Sequence, residues 1–280
     1  MDVNGDGNID ILSGSYSRQD QDMAGLFQVL SGSKDGTFRK AAVLDGSDGQ
    51  PLILPRGEDA IDRICTRPFA CDLDGDTKLD IVAGNFRGTF GFFKGEGGGK
   101  FNPNATWLAG VAVDAHGDPF LVDWDKDGDL DLLSGSAGGG AFLFLNEGSK
   151  TAPKFGKRVT LVEPSGHHGG EMRFGDGHCV APASDTRVWA ADVDGNGKLD
   201  LLVGDMITLY FTATGVDEAT ARAKDVAWQK KQQALQQTYP RDGDPAGQRK
   251  WQDDYQKLGR EREAFLREEM TGFVWLLCQK

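Results

Sequence analysis

Asp123, Asp125, Asp127, Asp129 and Asp131 stand on alternate residues of DWDKDGDLDLLSG, which then runs directly into Leu132-Leu133. Carboxylates spaced this closely repel one another, and each leaves water at a cost unless positive charge compensates it. The pattern occurs four times, as DVNGDGNIDILSG from Asp2, DLDGDTKLDIVAG from Asp72, DWDKDGDLDLLSG from Asp123 and DVDGNGKLDLLVG from Asp192. In register, positions 1, 3 and 5 are acidic or amide and position 9 is Asp. Positions 8, 10 and 11 are aliphatic, and position 13 is Gly. A ring of oxygen donors of this kind suits calcium, which takes about six to eight oxygen ligands. It disfavours zinc and copper, which prefer nitrogen and sulfur.

The candidate ligands are Asp2, Asn4, Asp6, Asn8 and Asp10 in the first loop, and Asp72, Asp74, Asp76, Lys78 and Asp80 in the second. The third offers Asp123, Asp125, Asp127, Asp129 and Asp131, and the fourth Asp192, Asp194, Asn196, Lys198 and Asp200. The position-7 residues Asn8, Lys78, Asp129 and Lys198 would contribute a backbone carbonyl, since a lysine side chain cannot ligate a cation. Gly7, Gly128 and Gly197 at position 6 permit a left-handed backbone that curls the loop, whereas the second loop places Thr77 there. The spacing predicts up to four Ca2+ sites, with the third loop the tightest and the first the weakest. The fourth includes the neutral Asn196. The alternative is that some loops are hydrated turns without an ion.

Positioning such loops requires strands. A short apolar segment precedes three of them (ICTRPFACD, DPFLVD, TRVWAAD), and position 8 opens a second strand in all four. A glycine-led aromatic strand follows (GLFQVL, GTFGFF, GAFLFL, GFVWLL), then a fourth ending in AAVL, NATWL or VTLV. Apolar runs between turn signals predict antiparallel strands, and a four-strand unit repeated four times predicts an all-β β-propeller. The unequal loop spacing and the small blade number also fit a fragment of a larger propeller. Val216 to Met270 breaks the pattern with Ala, Gln, Glu, Lys and Arg. Thr214–Asp217 fits a capping box, PRDGDPAG divides two helical halves, and Trp251, Tyr255, Leu258 and Phe265 share a face that Arg262 interrupts. The expected organisation is therefore propeller repeats over 1–215 and 271–280, with a helical hairpin, 216–270, inserted in the last blade. The hairpin either packs on its own propeller or serves as an interaction arm.

The loops resemble the EF-hand over their first six positions but depart afterwards, since no Glu stands at position 12 and a strand replaces the exiting helix. Together with their strands, they resemble the FG-GAP/VCBS repeats of integrin α-subunit-like propellers. That resemblance covers the repeat units and not the helical insert. It implies a calcium-stabilised propeller that binds protein or glycan partners and carries no shared catalytic residues.

The formal net charge of −12 excludes nucleic acid and anionic membranes as favourable partners. Glycine, at 39 of 280 residues, favours tight turns over long helices. No segment has the length and apolarity of a membrane span. Met1 abuts the first loop with no signal peptide, so the start reads as truncated. Calcium loops of the weak extracellular kind place the protein as secreted, periplasmic or cell-surface. Cys65 and Cys71 could pair only if Pro68 lies in a turn. GHHGGEMRFGDGHC gathers His167, His168 and His178 near Glu171, Asp176 and Cys179. This cluster supports an alternative reading as a propeller enzyme acting on polysaccharide or ester. The residues favour the non-enzymatic binding or scaffold module. His116, in DAHGDP, reads as a turn residue.

Overall fold

The computed structural model describes residues 1–18, 23–164, 172–240 and 244–280. The chain forms two compact units, one of Met1–Gly169, Ala181–Met206 and Phe273–Lys280, the other of Gly170–Val180 and Ile207–Gly272.

The first unit carries antiparallel sheets built around the four loops. The first sheet is β1 (Ile11–Ser13), β2 (Gln28–Leu30) and β3 (Ala42–Val43), in that order. The second is β4 (Arg67–Cys71), β5 (Asp80–Gly84) and β6 (Thr89–Phe93), a small hairpin of β7 (Gly95–Gly97) and β8 (Lys100–Phe101) then leading to its edge strand β9 (Thr106–Ala112). The third is β10 (Asp118–Val122), β11 (Asp131–Gly135), β12 (Ala141–Phe144) and β13 (Val159–Val162). After β14 (Arg173–Phe174), which lies in the second unit, β15 (Ser184–Ala191) opens the fourth. There β15 pairs with the first half of β16 (Asp200–Thr212), which also pairs with the last strand of the chain, β18 (Val274–Leu277). Among the described residues the chain is thus mostly β, with four main sheets and two helices.

The consecutive aliphatics at positions 10 and 11 have a specific use. Successive side chains on a strand point to opposite faces. Ile81 packs with Phe27 and Leu12 of the first sheet, while its neighbour Val82 packs with Leu121, Leu132 and Phe142 of the third. Leu132 joins that same cluster, and Leu133 turns the other way to meet Val188 and Val203 of the fourth. β5 and β11 are buried along their whole length because both faces are covered. Continuous apolar runs, rather than alternation, are what such strands need.

Position 13 closes three of the junctions. A methyl group on Gly14 would sit 1.9 Å from Thr66 O, on Gly84 1.9 Å from Gly117 O, and on Gly135 2.1 Å from Thr186 O. Thr66 Oγ1 accepts from Ser15 N at 3.0 Å and Thr186 Oγ1 accepts from Ser136 N at 2.9 Å, so two of these junctions share one threonine clip. Gly204, at the same position of the fourth sheet, has its nearest atom, Arg187 Cβ, 3.9 Å away. Pro68 lies inside β4 rather than in a turn, and Cys65 and Cys71 form no disulfide.

In the second unit, the far half of β16 pairs in parallel with β14 and antiparallel with β17 (Leu266–Thr271). Two helices connect β16 to β17: α1 (Glu218–Gln236) and α2 (Pro245–Glu263). The N-cap of α1 is Asp217, which accepts from Thr220 N at 2.8 Å, and not the Thr214 that the sequence pattern suggested. The helical composition also runs past the real end of α2, because LREEMT gains ladder bonds to the long β16 and helix propensity yields to them. Arg262 does not interrupt a face. Its Nε pairs at 2.7 Å with Asp225, which is 1% exposed, its NH1 meets Glu268 at 2.5 Å, and its guanidinium lies over the Trp228 ring.

Two outcomes follow from these contacts. Gly135→Ala should cost about 2–3 kcal/mol in urea unfolding, since backbone cannot retreat from the added methyl, whereas Gly204→Ala should be near neutral. Arg262→Met strands the buried Asp225 carboxylate and should cost about 3–5 kcal/mol. Hydrogen exchange at α1 and α2 should report that loss, and Arg262→Met/Asp225→Leu should recover most of it.

Candidate metal centres

The four loops share one backbone framework. Position 1 accepts the N–H of position 6: Asp2 from Gly7 at 2.7 Å, Asp72 from Thr77 at 3.0 Å, Asp123 from Gly128 at 3.1 Å and Asp192 from Gly197 at 3.0 Å. Position 5 accepts the N–H of position 7: Asp6 from Asn8, Asp76 from Lys78, Asp127 from Asp129 and Asn196 from Lys198. Position 6 is left-handed throughout, with φ of 88° at Gly7, 98° at Gly128 and 82° at Gly197. Thr77 takes φ 71° in the second loop, where a β-branched side chain costs about 1–2 kcal/mol.

Position 9 has a second task that the residue pattern did not reveal. One oxygen of each aspartate accepts the N–H of position 2: Asp10 from Val3 at 2.9 Å, Asp80 from Leu73 at 3.0 Å, Asp131 from Trp124 at 2.8 Å and Asp200 from Val193 at 2.9 Å. The other oxygen accepts an N–H just past the third strand: Gly32 at 2.8 Å, Gly95 at 2.7 Å, Asn146 at 2.8 Å and Gln279 at 3.0 Å. All four aspartates are buried. Burial pushes the carboxyls of Asp80 and Asp131 up, although these N–H bonds pull against it.

What remains free is the set of oxygens that could face a cation. Asp72 Oδ1, Asp74 Oδ1, Asp123 Oδ1 and Asp129 Oδ1 are buried with no hydrogen-bond partner. Carboxylate oxygens of Asp72, Asp74 and Asp80 lie within 4.8 Å of one another, as do those of Asp123, Asp125 and Asp127. In the fourth loop Asp194 and Asp200 gather with the Cys278 sulfur instead. Among the described residues the first loop presents no such triple. Its Asp2 and Asp6 are taken up by N–H bonds within the loop, which hold the Asp6 carboxyl below its usual range through Asn8.

Position 7 divides the loops. The Lys78 ammonium stands 3.6 Å from Asp76 Oδ2, while the Asp129 side chain is buried at 8% exposure. Burial pushes the Asp129 carboxyl up, and the negative charges of Asp127, Asp131 and Asp125 add to this. The third loop is thus a crowded anionic site: its own Lys126 bonds Gly197 O instead of an aspartate, and Lys150 lines the cavity that Asp123 and Asp129 share with Asp72. The second loop differs: Lys94, at the end of β6, donates to both Asp74 and Asp76 and holds the Asp76 carboxyl low. Lys94 is a contact that the loop pattern could not supply. The signal lies outside it, in FFKG against FLFLN when the third strands are aligned.

The donors fit a hard divalent cation, being carboxylate and amide oxygens held by a preformed frame. Of the histidines, His167 and His168 lie outside the described residues, as does Glu171. His178 sits exposed in a short turn, Asp176–His178. His116 takes φ 49°, donates its N–H to Phe86 O and rests its ring 4.5 Å from that of Phe86. Burial, reinforced by the Arg67 charge, pushes its pKa down.

Residues 72–134, from the second loop through β11, match the family model of the FG-GAP-like repeat, consistent with an FG-GAP repeat protein. No curated protein matches the chain.

Asp131→Ala removes the acceptor for two enclosed N–H groups and should cost about 2–4 kcal/mol in chemical unfolding. Because the clamp is made by backbone donors, most of that loss should persist in chelator. A loss seen only in the presence of calcium would show that position 9 acts through the ion alone.

Proposed function

We propose that this chain is a calcium-stabilised repeat scaffold, a propeller or propeller segment working outside the cytoplasm as a binding or adhesion module for protein or glycan partners. The observation that carries the calcium reading is the pair of buried, unpartnered carboxylate oxygens on Asp123 and Asp129 in the third loop. An anionic oxygen out of water with no donor is unfavourable by several kcal/mol, and a bound cation relieves that cost. The ring is all oxygen in the third loop, which favours calcium or magnesium over transition metals. Calcium accommodates irregular, high-coordination loops of this size, whereas magnesium demands near-octahedral geometry and keeps its waters.

The propeller reading draws support from the sheet junctions. The same position-13 glycine meets the backbone leading into the next sheet at three successive boundaries, as one rotation repeated would produce. The placement outside the cytoplasm follows from the cation. Loops of the extracellular kind bind at about 10⁻⁴ to 10⁻³ M and would stand empty at cytosolic calcium. No helix among the described residues is long and apolar enough to cross a membrane.

A thermal melt in EDTA, then with rising calcium and separately magnesium, tests the reading. Each loaded site at 100 times its dissociation constant should add about 2.7 kcal/mol. Calcium should raise Tm strongly and magnesium little, and Asp123→Asn/Asp125→Asn should remove a large share of the shift. An unchanged Tm in saturating calcium would overturn the proposal.

A further inference from the structure

The residue that ends the third strand differs from sheet to sheet, although its place in the frame is constant. Strand register pairs Ile81 with Phe93, Leu132 with Phe144, Leu201 with Leu277 and Ile11 with Leu30. The next residue is therefore Lys94 in the second sheet, Leu145 in the third, Cys278 in the fourth and Ser31 in the first. In each case the residue after that donates its N–H to the position-9 aspartate. The side chain at this place is thus carried to the rim of the loop. Lys94 uses it to put its ammonium against Asp76 Oδ2 at 2.9 Å and against Asp74 Oδ2. Leu145 has no charge to offer, and among the described residues no ammonium hydrogen-bonds a third-loop carboxylate, Lys150 only lining the cavity beside Asp123 and Asp129.

We propose that Lys94 is a built-in counter-ion that excludes calcium from the second loop, so that two adjacent loops with the same aspartates at positions 1, 3, 5 and 9 divide into a self-neutralised cage and a cation-dependent one. This deepens the calcium reading and rests on it. A dication entering the second loop must displace the ammonium from Asp74 and Asp76, or bind beside it against like-charge repulsion, and either route weakens binding. Thr77 in its left-handed conformation adds to the handicap of this loop.

The test counts calcium ions bound to the full chain by native mass spectrometry and titration calorimetry. Lys94→Leu copies the third-loop arrangement, and Lys94→Gln keeps most of the length without the charge. The Lys94 side chain is 44% exposed, so neither change opens the core. Both variants should bind one calcium ion more than the wild type, or bind their weakest ion at least tenfold more tightly. The added ion should vanish in Lys94→Leu/Asp74→Asn. In EDTA, Lys94→Leu should melt below the wild type, and saturating calcium should raise its Tm by more. A wild type that binds calcium with the same count and affinities as both variants would overturn the role of Lys94 and leave the calcium reading standing. No calcium bound by any of the three would overturn both.

Discussion

A buried carboxylate that accepts two backbone N–H groups holds each repeat together. The position-9 aspartate reaches back to the start of its own loop and across to the residue beyond the third strand. Charge-assisted bonds of this kind are about twice as strong as neutral ones, and losing the acceptor leaves two enclosed donors with no partner. The loop cannot then shift without disturbing the sheet. The remaining carboxylates are held in a ring despite their mutual repulsion because this clamp fixes both ends of the turn. The unpartnered oxygens of Asp72, Asp74 and Asp123 are a consequence of that rigidity: the frame does not relax to let them find donors.

Directly beyond the clamp, positions 10 and 11 of the second and third repeats send one aliphatic to each neighbouring sheet. A loop is therefore coupled to two interfaces, since Leu132 enters one core and Leu133 the next. Glycine at position 13 allows the following backbone to pass at a separation no side chain would permit. In thirteen residues the repeat thus joins an anionic ring, a backbone clamp and two faces of packing. Cation binding at the ring would stabilise the sheets on both sides, because ring and strand share the same rigid turn.

The repeats have diverged in their electrostatics while keeping this frame. Asp129, Lys94 and Cys278 all stand at the rim of a loop, and they contribute a buried acid, an ammonium and a thiol to otherwise similar rings. The second unit uses charge differently. There Arg262 neutralises the buried Asp225 and lies over Trp228, so a cation inside an amphipathic face stabilises the unit instead of weakening it.

The loop register, the strand that follows each loop and the left-handed turn at position 6 were legible in the residues alone, because they depend on contacts within about a dozen positions. Gly7, Gly128 and Gly197 announce their backbone, and Leu132-Leu133 announces a strand buried on both faces. The two helices were legible from composition, but their limits were not. Thr214 and Asp217 are both residue types that cap helices, and LREEMT becomes a strand only because β16 lies alongside it. Lys94 was hidden for the same reason. It is 18 residues from Asp76 in sequence, and the β5–β6 pairing alone carries its ammonium into the ring. Short-range geometry is set by residue type. Which charges meet across the sheet, and whether an acidic ring must find its cation in solution or already holds one in its own chain, was decided only by tertiary structure, because strand pairing sets the distances on which Coulomb energy depends.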